Sequence, residues 1–321
     1  MGKNILAVRN DRFGEFLLNI PAFRALKEGY PNAKLTLVVN PYVSQLAKLI
    51  DFVNEIIIWE NKKHSLRQIL KFSQELKAKK FDLCVIFNPS KEFNIISFLS
   101  GIPIRIGYNR KLAFLLTRKI NDEKHLGHRH EVDYNLDLLK PLGIKTEDKA
   151  LSLNINACLM NDFYRGLNLE NDDNLVAIHP FTSDPLKEWP LENFRILSER
   201  LAQELNKKII IIGGNEELTK SKDFFNNLNR RIINLTGKTN LTELAGLLKK
   251  CKLLISGDSG PVHLACSVGT PVIAIFRNDL PEKSPKRWGP WGKGHMVIEK
   301  NNLYDITVDE VFDKVSIFFN T

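Results

Sequence analysis

Apolar residues along the chain follow two rhythms. Short aliphatic runs occur at Ile5–Val8, Leu35–Val39, Glu55–Ile58, Leu83–Phe87 and Ile104–Ile106, and again at Leu175–Ile178, Lys208–Ile212, Ile232–Asn234, Leu253–Ser256 and Val272–Phe276. Runs of this length bounded by turn residues predict strands. Between them the apolar positions recur every three to four residues. Phe13, Phe16, Leu17, Ile20, Phe23 and Leu26 predict helix after the first strand. Further helices are predicted at Tyr42–Leu49, Leu66–Ala78, Ile95–Leu99, Cys158–Leu167, Leu191–Leu205, Leu218–Leu228, Leu241–Lys249, Val262–Val268 and Val308–Phe319. Strand and helix alternate throughout, which implies α/β architecture with parallel sheets covered by helices on both faces.

The alternation runs through two halves of about 150 residues, an ordinary domain size. The expected division is a Rossmann-like first domain over residues 1–165 and a second over 166–305. The helix within 306–321 is expected to pack across their junction. The polar run Glu170-Asn171-Asp172-Asp173-Asn174 is the best linker. A loop rich in Pro, Trp and Gly follows the strand ending at Phe276.

Composition narrows the class. With 43% hydrophobic and 26% charged residues the 321-residue chain reads as globular. No apolar run reaches the ~18 residues of a membrane span. The start enters a strand at once, leaving no room for a signal peptide. Cys84, Cys158, Cys251 and Cys266 are scattered, and three lie in or beside apolar elements, so they read as reduced core thiols. These features point to the cytoplasm. The net charge of +9 concentrates in Arg105–His130. That segment lacks the interleaved aromatics of a nucleic-acid platform. It suits an anionic membrane surface or a phosphorylated glycolipid, or is simply a solvated basic loop. No D-x-D or H-E-x-x-H occurs, and His125, His128 and His130 are the only concentration of imidazoles, so neither metal nor other cofactor is expected.

The segment Leu253–Phe276, LLISGDSGPVHLACSVGTPVIAIF, carries the sharpest chemistry. It reads strand, tight turn, helix, strand. A helix beginning at Gly257-Asp258-Ser259-Gly260-Pro261 offers free N–H groups and a positive dipole end, which suit a phosphate. Asp258 and Ser259 are placed to cap that helix, Pro261 fits its first turn, and His263 sits one turn in. The same residues also serve an ordinary capped strand–helix turn.

The pattern D-S-G-P-x-H-L-A followed by G-T-P-V-I-A-I-F resembles the nucleotide-site signature of the ADP-heptose:lipopolysaccharide heptosyltransferases. Three further segments agree in order: Arg12-Phe13-Gly14-Glu15 with Pro21-Ala22 and Arg24-Ala25-Leu26; His179-Pro180-Phe181-Thr182-Ser183 with Lys187-Glu188-Trp189-Pro190; and Ile212-Gly213-Gly214-Asn215-Glu216-Glu217. The resemblance implies a GT-B fold, two doubly wound domains facing across a cleft. It also implies an inverting transfer of heptose from ADP-heptose to a lipopolysaccharide core or related glycan acceptor, lipid-linked or phosphorylated, at the cytoplasmic face of the inner membrane.

The roles below follow from that resemblance. The second domain would hold the nucleotide sugar: Ser259 and Gly260 through main-chain N–H groups, Thr182 and Ser183 on phosphate oxygens, and Lys187 on the leaving diphosphate. Glu217 or Glu216 would take the ribose, and Thr239 and Leu241 would flank the adenine. Asp258 would accept hydrogen bonds from the donor sugar or from turn N–H groups, with His263 close by. The first domain would hold the acceptor near Arg9, Asp11, Arg12 and Gly14. The family's base is an Asp after Gly; here the matching position is Glu15, one methylene longer, with Asp11 in reserve. Local alternatives stand beside these roles. Lys187 also reads as a surface lysine, Glu216 and Glu217 as helix-start carboxylates, and Glu15 as a capping residue whose pKa would then be lowered. Another nucleotide sugar, or a catalytically impaired nucleotide-sugar-binding protein, is the runner-up. A nicotinamide dehydrogenase is disfavoured because no G-x-G-x-x-G follows the first strand.

Overall fold

The computed structural model describes residues 2–156, 160–169, 174–225 and 228–320. They form two compact units, Met1–Ala150 and Leu151–Thr321.

The first unit holds strands β1 (Asn4–Val8), β2 (Lys34–Val39), β3 (Glu55–Ile58), β4 (Leu83–Ile86), β5 (Ile104–Tyr108) and β6 (Arg118–Ile120). They pair in parallel in the order β3-β2-β1-β4-β5-β6. The second unit repeats the plan with β7 (Leu175–His179), β8 (Lys208–Ile211), β9 (Ile232–Asn234), β10 (Leu253–Gly257), β11 (Val272–Arg277) and β12 (Met296–Lys300), ordered β12-β11-β10-β7-β8-β9. Each sheet therefore reverses direction once, between β1 and β4 and between β7 and β10. In open α/β sheets the crevice beyond the carboxyl ends of the strands at such a reversal is where ligands bind.

The central strands are buried aliphatic runs, with Ile5, Ala7 and Val8 fully enclosed in one sheet and Val176, Ile178 and Ile255 in the other. The helix expected over Phe13–Leu26 is two helices, Phe13–Leu17 and Ile20–Gly29. Pro21 has no N–H to continue the ladder, and the Asn19 side chain takes the Glu15 carbonyl instead, at 2.6 Å. The edge strands β6 and β12 and the helix Glu131–Asp137 lie outside the expected elements. β6 is three residues of Arg-Lys-Ile, too short and too charged to show a strand period.

Two organisational expectations change. The division falls at Ala150 rather than 165, because the following segment joins the second unit. Leu153 N–H donates to the Ser267 carbonyl at 2.9 Å, and the Tyr164 hydroxyl donates to the Gly246 carbonyl at 2.8 Å. The helix Val308–Asn320 packs on the helix Leu191–Glu204 of its own unit. Val311, Phe312 and Val315 enter that unit's core with Phe194 and Leu201. Cys158 and the linker residues 170–173 lie outside the described residues, as do 226 and 227 in the expected Leu218–Leu228 helix, which is described over Leu218–Phe224.

Candidate functional site

The second unit's reversal is built from the ends of β7 and β10. After β7 the chain runs through Thr182 and Ser183 into a short 3-10 turn, Pro185–Lys187. Trp189 anchors that turn. It is buried, donates its indole N–H to the Ile306 carbonyl at 2.8 Å and packs edge-on to Phe194. From the other side, Arg277 at the end of β11 donates to the Leu186 carbonyl at 3.1 Å. Lys283 pairs with Asp184 at 2.7 Å and holds its carboxyl below the ordinary range. The Asp184 side chain in turn accepts the Leu186 N–H at 3.1 Å.

The turn so fixed delivers Lys187 to Asp258, with Nζ 2.5 Å from Oδ2. Burial pushes the Asp258 carboxyl up, and Lys187 pulls against that shift. Gly257 lies beside this turn, and a Cβ there would stand 3.4 Å from the Lys187 carbonyl oxygen, an ordinary contact, so the approach does not depend on glycine. Behind the pair, the Ser259 hydroxyl bonds His179 Nδ1 at 3.1 Å and the Ser256 hydroxyl at 2.8 Å. Burial drops the His179 pKa to about 4, so this imidazole is neutral at physiological pH.

The helix Gly260–Val268 begins here. Ser259 occupies its N-cap position but makes no side-chain cap, because its hydroxyl is turned to His179. Within the first turn Pro261 has no N–H and the Val262 N–H donates to the Ser259 carbonyl at 3.2 Å, so the N–H groups of Ser259 and Gly260 are the ones placed to meet an anion, with the dipole behind them.

The first unit's reversal is more densely charged. Arg9, at the end of β1, is buried. Its Nε lies 2.7 Å from Asp11, and its Nη1 donates to the Phe87 carbonyl after β4 at 3.1 Å. Asn88 donates to Asn10 at 3.2 Å across the same gap. Glu15 is half-buried on the short helix Phe13–Leu17. Burial raises its pKa; Arg9 and Arg12 pull down and Asp11 pushes up. Burial also works against the Arg9 charge, but Asp11, Glu131 and Glu15 outweigh it. Glu131 is buried against Lys124, whose Nζ also reaches Asn135 at 3.4 Å. Asn135 closes the network by donating to the Leu18 carbonyl at 3.2 Å, at the end of the Glu15 helix.

Residues 69–311 match Glycosyltransferase family 9 (heptosyltransferase), three-quarters of the chain. The chain belongs to this family. The glycosyltransferase is 24% identical to a lipopolysaccharide core heptosyltransferase, OpsX, of Haemophilus influenzae, over 98% of this chain and 88% of that protein. Among solved structures it is similar to a glycosyl transferase family 9 protein from Veillonella parvula, with TM-score 0.88, 23% identity and coverage of 99% and 98%. It is also similar to the E. coli ADP-heptose lipopolysaccharide heptosyltransferase II, with TM-score 0.86, 20% identity and coverage of 99% and 98%. The fold of those structures, the GT-B fold with its two parallel α/β sheets, is the fold of this glycosyltransferase.

Within the glycosyltransferase, Lys187, Asp258, Ser259 and Gly260 meet at one strand reversal. Lys187 is a partner of a buried carboxylate, not a solvated surface lysine. Asp258 turns to Lys187, a third option beyond sugar or turn N–H groups. Thr182 bonds locally, accepting the Asp184 N–H at 3.3 Å, and Ser183 is exposed. His263 is buried within the helix. Glu217 accepts the Gly214 N–H at 2.5 Å, a capping contact; burial and the neighbouring Glu216 push its carboxyl up. Glu216 is exposed. Thr239 is half-buried just before the helix Leu241–Lys250, and the Leu241 side chain is buried, leaving main chain as what that residue presents. In the first unit Arg9, Asp11 and Glu15 form one electrostatic cluster, Arg12 is exposed at its edge, and Gly14 is buried. Glu15 does not behave as a pKa-lowering cap, since its pKa is raised.

His179, Ser256, Asp184 and Lys283 carry structural roles that sequence reasoning did not assign. His179 lay in a quoted motif, but its partners come from a strand about 80 residues away. Three of the seven Lys and Arg in the Arg105–His130 segment pair with carboxylates: Arg110 with Asp122 at 2.8 Å, Arg129 with Asp137 at 2.7 Å, and Lys124 with Glu131. His130 caps its helix by accepting the Val132 N–H at 3.3 Å. Cys84, Cys251 and Cys266 are buried free thiols. Among the described residues no group of three His, Cys, Asp or Glu is placed to hold a metal, and no helix is long and apolar enough to cross a membrane.

Proposed function

We propose that the protein transfers heptose from ADP-heptose, with inversion, to a lipopolysaccharide core or related lipid-linked or phosphorylated glycan at the cytoplasmic face of the inner membrane. The observation that carries this reading is the Lys187–Asp258 pair beside an uncapped helix start at the β7/β10 reversal. It is the arrangement a diphosphate needs, in a chain of a heptosyltransferase family.

The second unit holds the donor. N–H groups at Ser259 and Gly260 take diphosphate oxygens, assisted by Thr182 and Ser183. Glu217 or Glu216 accepts from the ribose, and the Thr239–Leu241 main chain and His263 border the nucleotide. Asp258 holds Lys187 in place until the diphosphate arrives. Arg9, Arg12 and Gly14 line the acceptor side, with Asp11 fixing Arg9.

Glu15 accepts the proton of the acceptor hydroxyl as its oxygen bonds to the anomeric carbon. The bond from that carbon to the phosphate oxygen breaks, and ADP leaves with the electron pair. Lys187 and the helix N–H groups stabilise the growing negative charge, a contribution of roughly 3–4 kcal/mol in comparable sites. A carboxyl with a raised pKa is the better proton acceptor near neutral pH, and burial supplies that shift at Glu15.

A thermal-shift series with ADP-heptose, UDP-sugars and GDP-sugars tests the donor, because ligand stabilises the native state by occupancy. ADP-heptose is expected to give the largest shift. Equal shifts across the series would refute the donor assignment.

A further inference from the structure

The first unit exposes apolar side chains on one face of its sheet. Helices Leu66–Ala78 and Lys91–Leu99 and the turn Ala113–Leu115 send Ile69, Phe93 and Ala113 into one core cluster, so all three segments cover the same face. Their outer sides carry Leu66 (78% exposed), Leu70, Phe98 (50%), Leu99, Leu112 and Phe114 (74%).

The turn that presents Phe114 is built rather than loose. Ala113 and Leu116 are buried and anchor it, while Lys111 and Leu112 adopt left-handed backbone, φ +47° and +57°. L-residues adopt that conformation at a cost of about 1–2 kcal/mol each. Asn94 holds the strained pair by donating to the Lys111 carbonyl at 2.7 Å, and Lys111 Nζ donates to the Pro89 carbonyl at 2.7 Å. Arg105 bridges the turn to the helix: it donates to the Leu115 carbonyl at 2.8 Å and lies over the Phe98 ring at 5.5 Å. Phe98 and Phe114 thus belong to one surface.

That surface is cationic. Residues 91–119 contain six Lys and Arg against one carboxylate, Glu92, and of the six Arg110 pairs with Asp122 just beyond. Glu92 is taken up by the Trp59 indole at 2.6 Å and His64 at 3.1 Å. Hydrogen bonds from Lys111 and Arg118 to main-chain carbonyls fix those cations without neutralising them. Exposed aromatic and aliphatic side chains ringed by lysine and arginine match the boundary of an anionic bilayer, where rings sit among the acyl chains and cations meet headgroup phosphates.

We propose that this face docks the protein on an anionic lipid bilayer, with Leu112 and Phe114 as the inserted tip and Phe98 beside them. The inference rests on the reading of a lipid-linked acceptor and deepens it by placing the membrane contact.

The test is co-sedimentation of the full chain with phosphatidylglycerol vesicles and with phosphatidylcholine vesicles. Binding is expected to phosphatidylglycerol alone and to weaken with salt. The Leu112→Ser/Phe114→Ser double variant should bind about tenfold more weakly or worse, since losing two inserted side chains removes more than the 1.4 kcal/mol of a decade. Lys91→Glu/Lys119→Glu should lose the preference for anionic lipid. Both variants change exposed side chains and should keep the wild-type unfolding midpoint and nucleotide-sugar thermal shift. Absent vesicle binding, or wild-type binding by the serine variant, overturns the proposal. Loss of the nucleotide shift in the wild type would instead overturn the donor reading and leave the vesicle result standing.

Discussion

The two units share one strand order and place their chemistry at the same topological point, yet they fill it differently. At the β1/β4 reversal, charge is crowded and carboxylate-rich: Arg9 faces Asp11, Glu15 and Glu131, with Lys124 behind. At the β7/β10 reversal the Lys187–Asp258 and Lys283–Asp184 pairs each match one cation to one carboxylate, beside a neutral His179–Ser259–Ser256 chain and a helix start with no side-chain cap. The first arrangement raises the pKa of a carboxyl, which suits a proton acceptor. The second leaves donors unspent, which suits an incoming anion. One scaffold serves both roles because the sheet fixes only where the loops begin, and the loops fix what they offer.

The sharpest way to break the contrast is Glu15→Gln. It removes the proposed proton acceptor while keeping shape and hydrogen bonding. Turnover is expected to fall by roughly 10²–10⁴ while the nucleotide-sugar thermal shift is retained. Normal turnover would remove Glu15 from the mechanism and promote Asp11. In the wild type, kcat/KM should rise with pH through a midpoint above the ordinary 4.5 of a glutamate, because burial raises the folded-state value.

Lys187→Ala tests the other unit. Loss of the cation is expected to lower kcat by roughly 10²–10³, the cost of losing one charge-stabilising donor. Because Lys187 is the partner of Asp258, the variant also strands a buried carboxylate, which protonates more readily. Asp258→Asn keeps the lysine but loosens its hold, so its activity should lie between wild type and Lys187→Ala. An Asp258→Asn enzyme less active than Lys187→Ala would mean that Asp258 touches substrate itself.

His179 and Glu15 should contribute oppositely to stability in acid. His179 titrates near 4 when folded against 6.5 when free, so the unfolded chain binds more protons between those values. Stability from this group is full above pH 6.5 and is lost as pH falls to about 4, a change of about 3 kcal/mol. Glu15 has the reverse sign. Its folded form holds a proton longer than its unfolded form, so it favours the native state on the acid side. Urea titrations of wild type and His179→Gln at pH 4 and pH 7 check this. The wild type should lose stability at pH 4 by an increment that His179→Gln does not show.

Sequence patterning revealed the alternation, ten of the twelve strands among the described residues and the strand–turn–helix form of the Gly257–Pro261 corner, because buried aliphatic runs and Gly-Asp-Ser-Gly-Pro are local signals. The unit boundary was not legible. The polar run at 170–174 looks like a linker, but Leu153 and Tyr164 bond to partners some 80 to 115 residues later. Lys187 and Asp258 could be named from motifs; that they bind each other could not, because only the β7–β10 pairing brings them together. Ser259 is the clearest local misreading. Its position is that of a cap, and a long-range histidine overrides the cap.

Ser259→Ala carries the smallest expected effect and refines the comparison most. The hydroxyl joins β7 to β10 through His179 and Ser256, both buried. Deleting it should cost about 1–3 kcal/mol of stability, the range for a buried partner left unsatisfied. Nucleotide binding divides two roles for the corner. If the main-chain N–H groups alone hold the diphosphate, Ser259→Ala binds ADP as the wild type does once its lower stability is allowed for. If the hydroxyl swings from His179 to a phosphate oxygen, ADP affinity falls as well. The extended backbone at Ser259, φ −154° and ψ 164°, is one alanine adopts without strain, so any loss belongs to the hydroxyl and not to a changed corner.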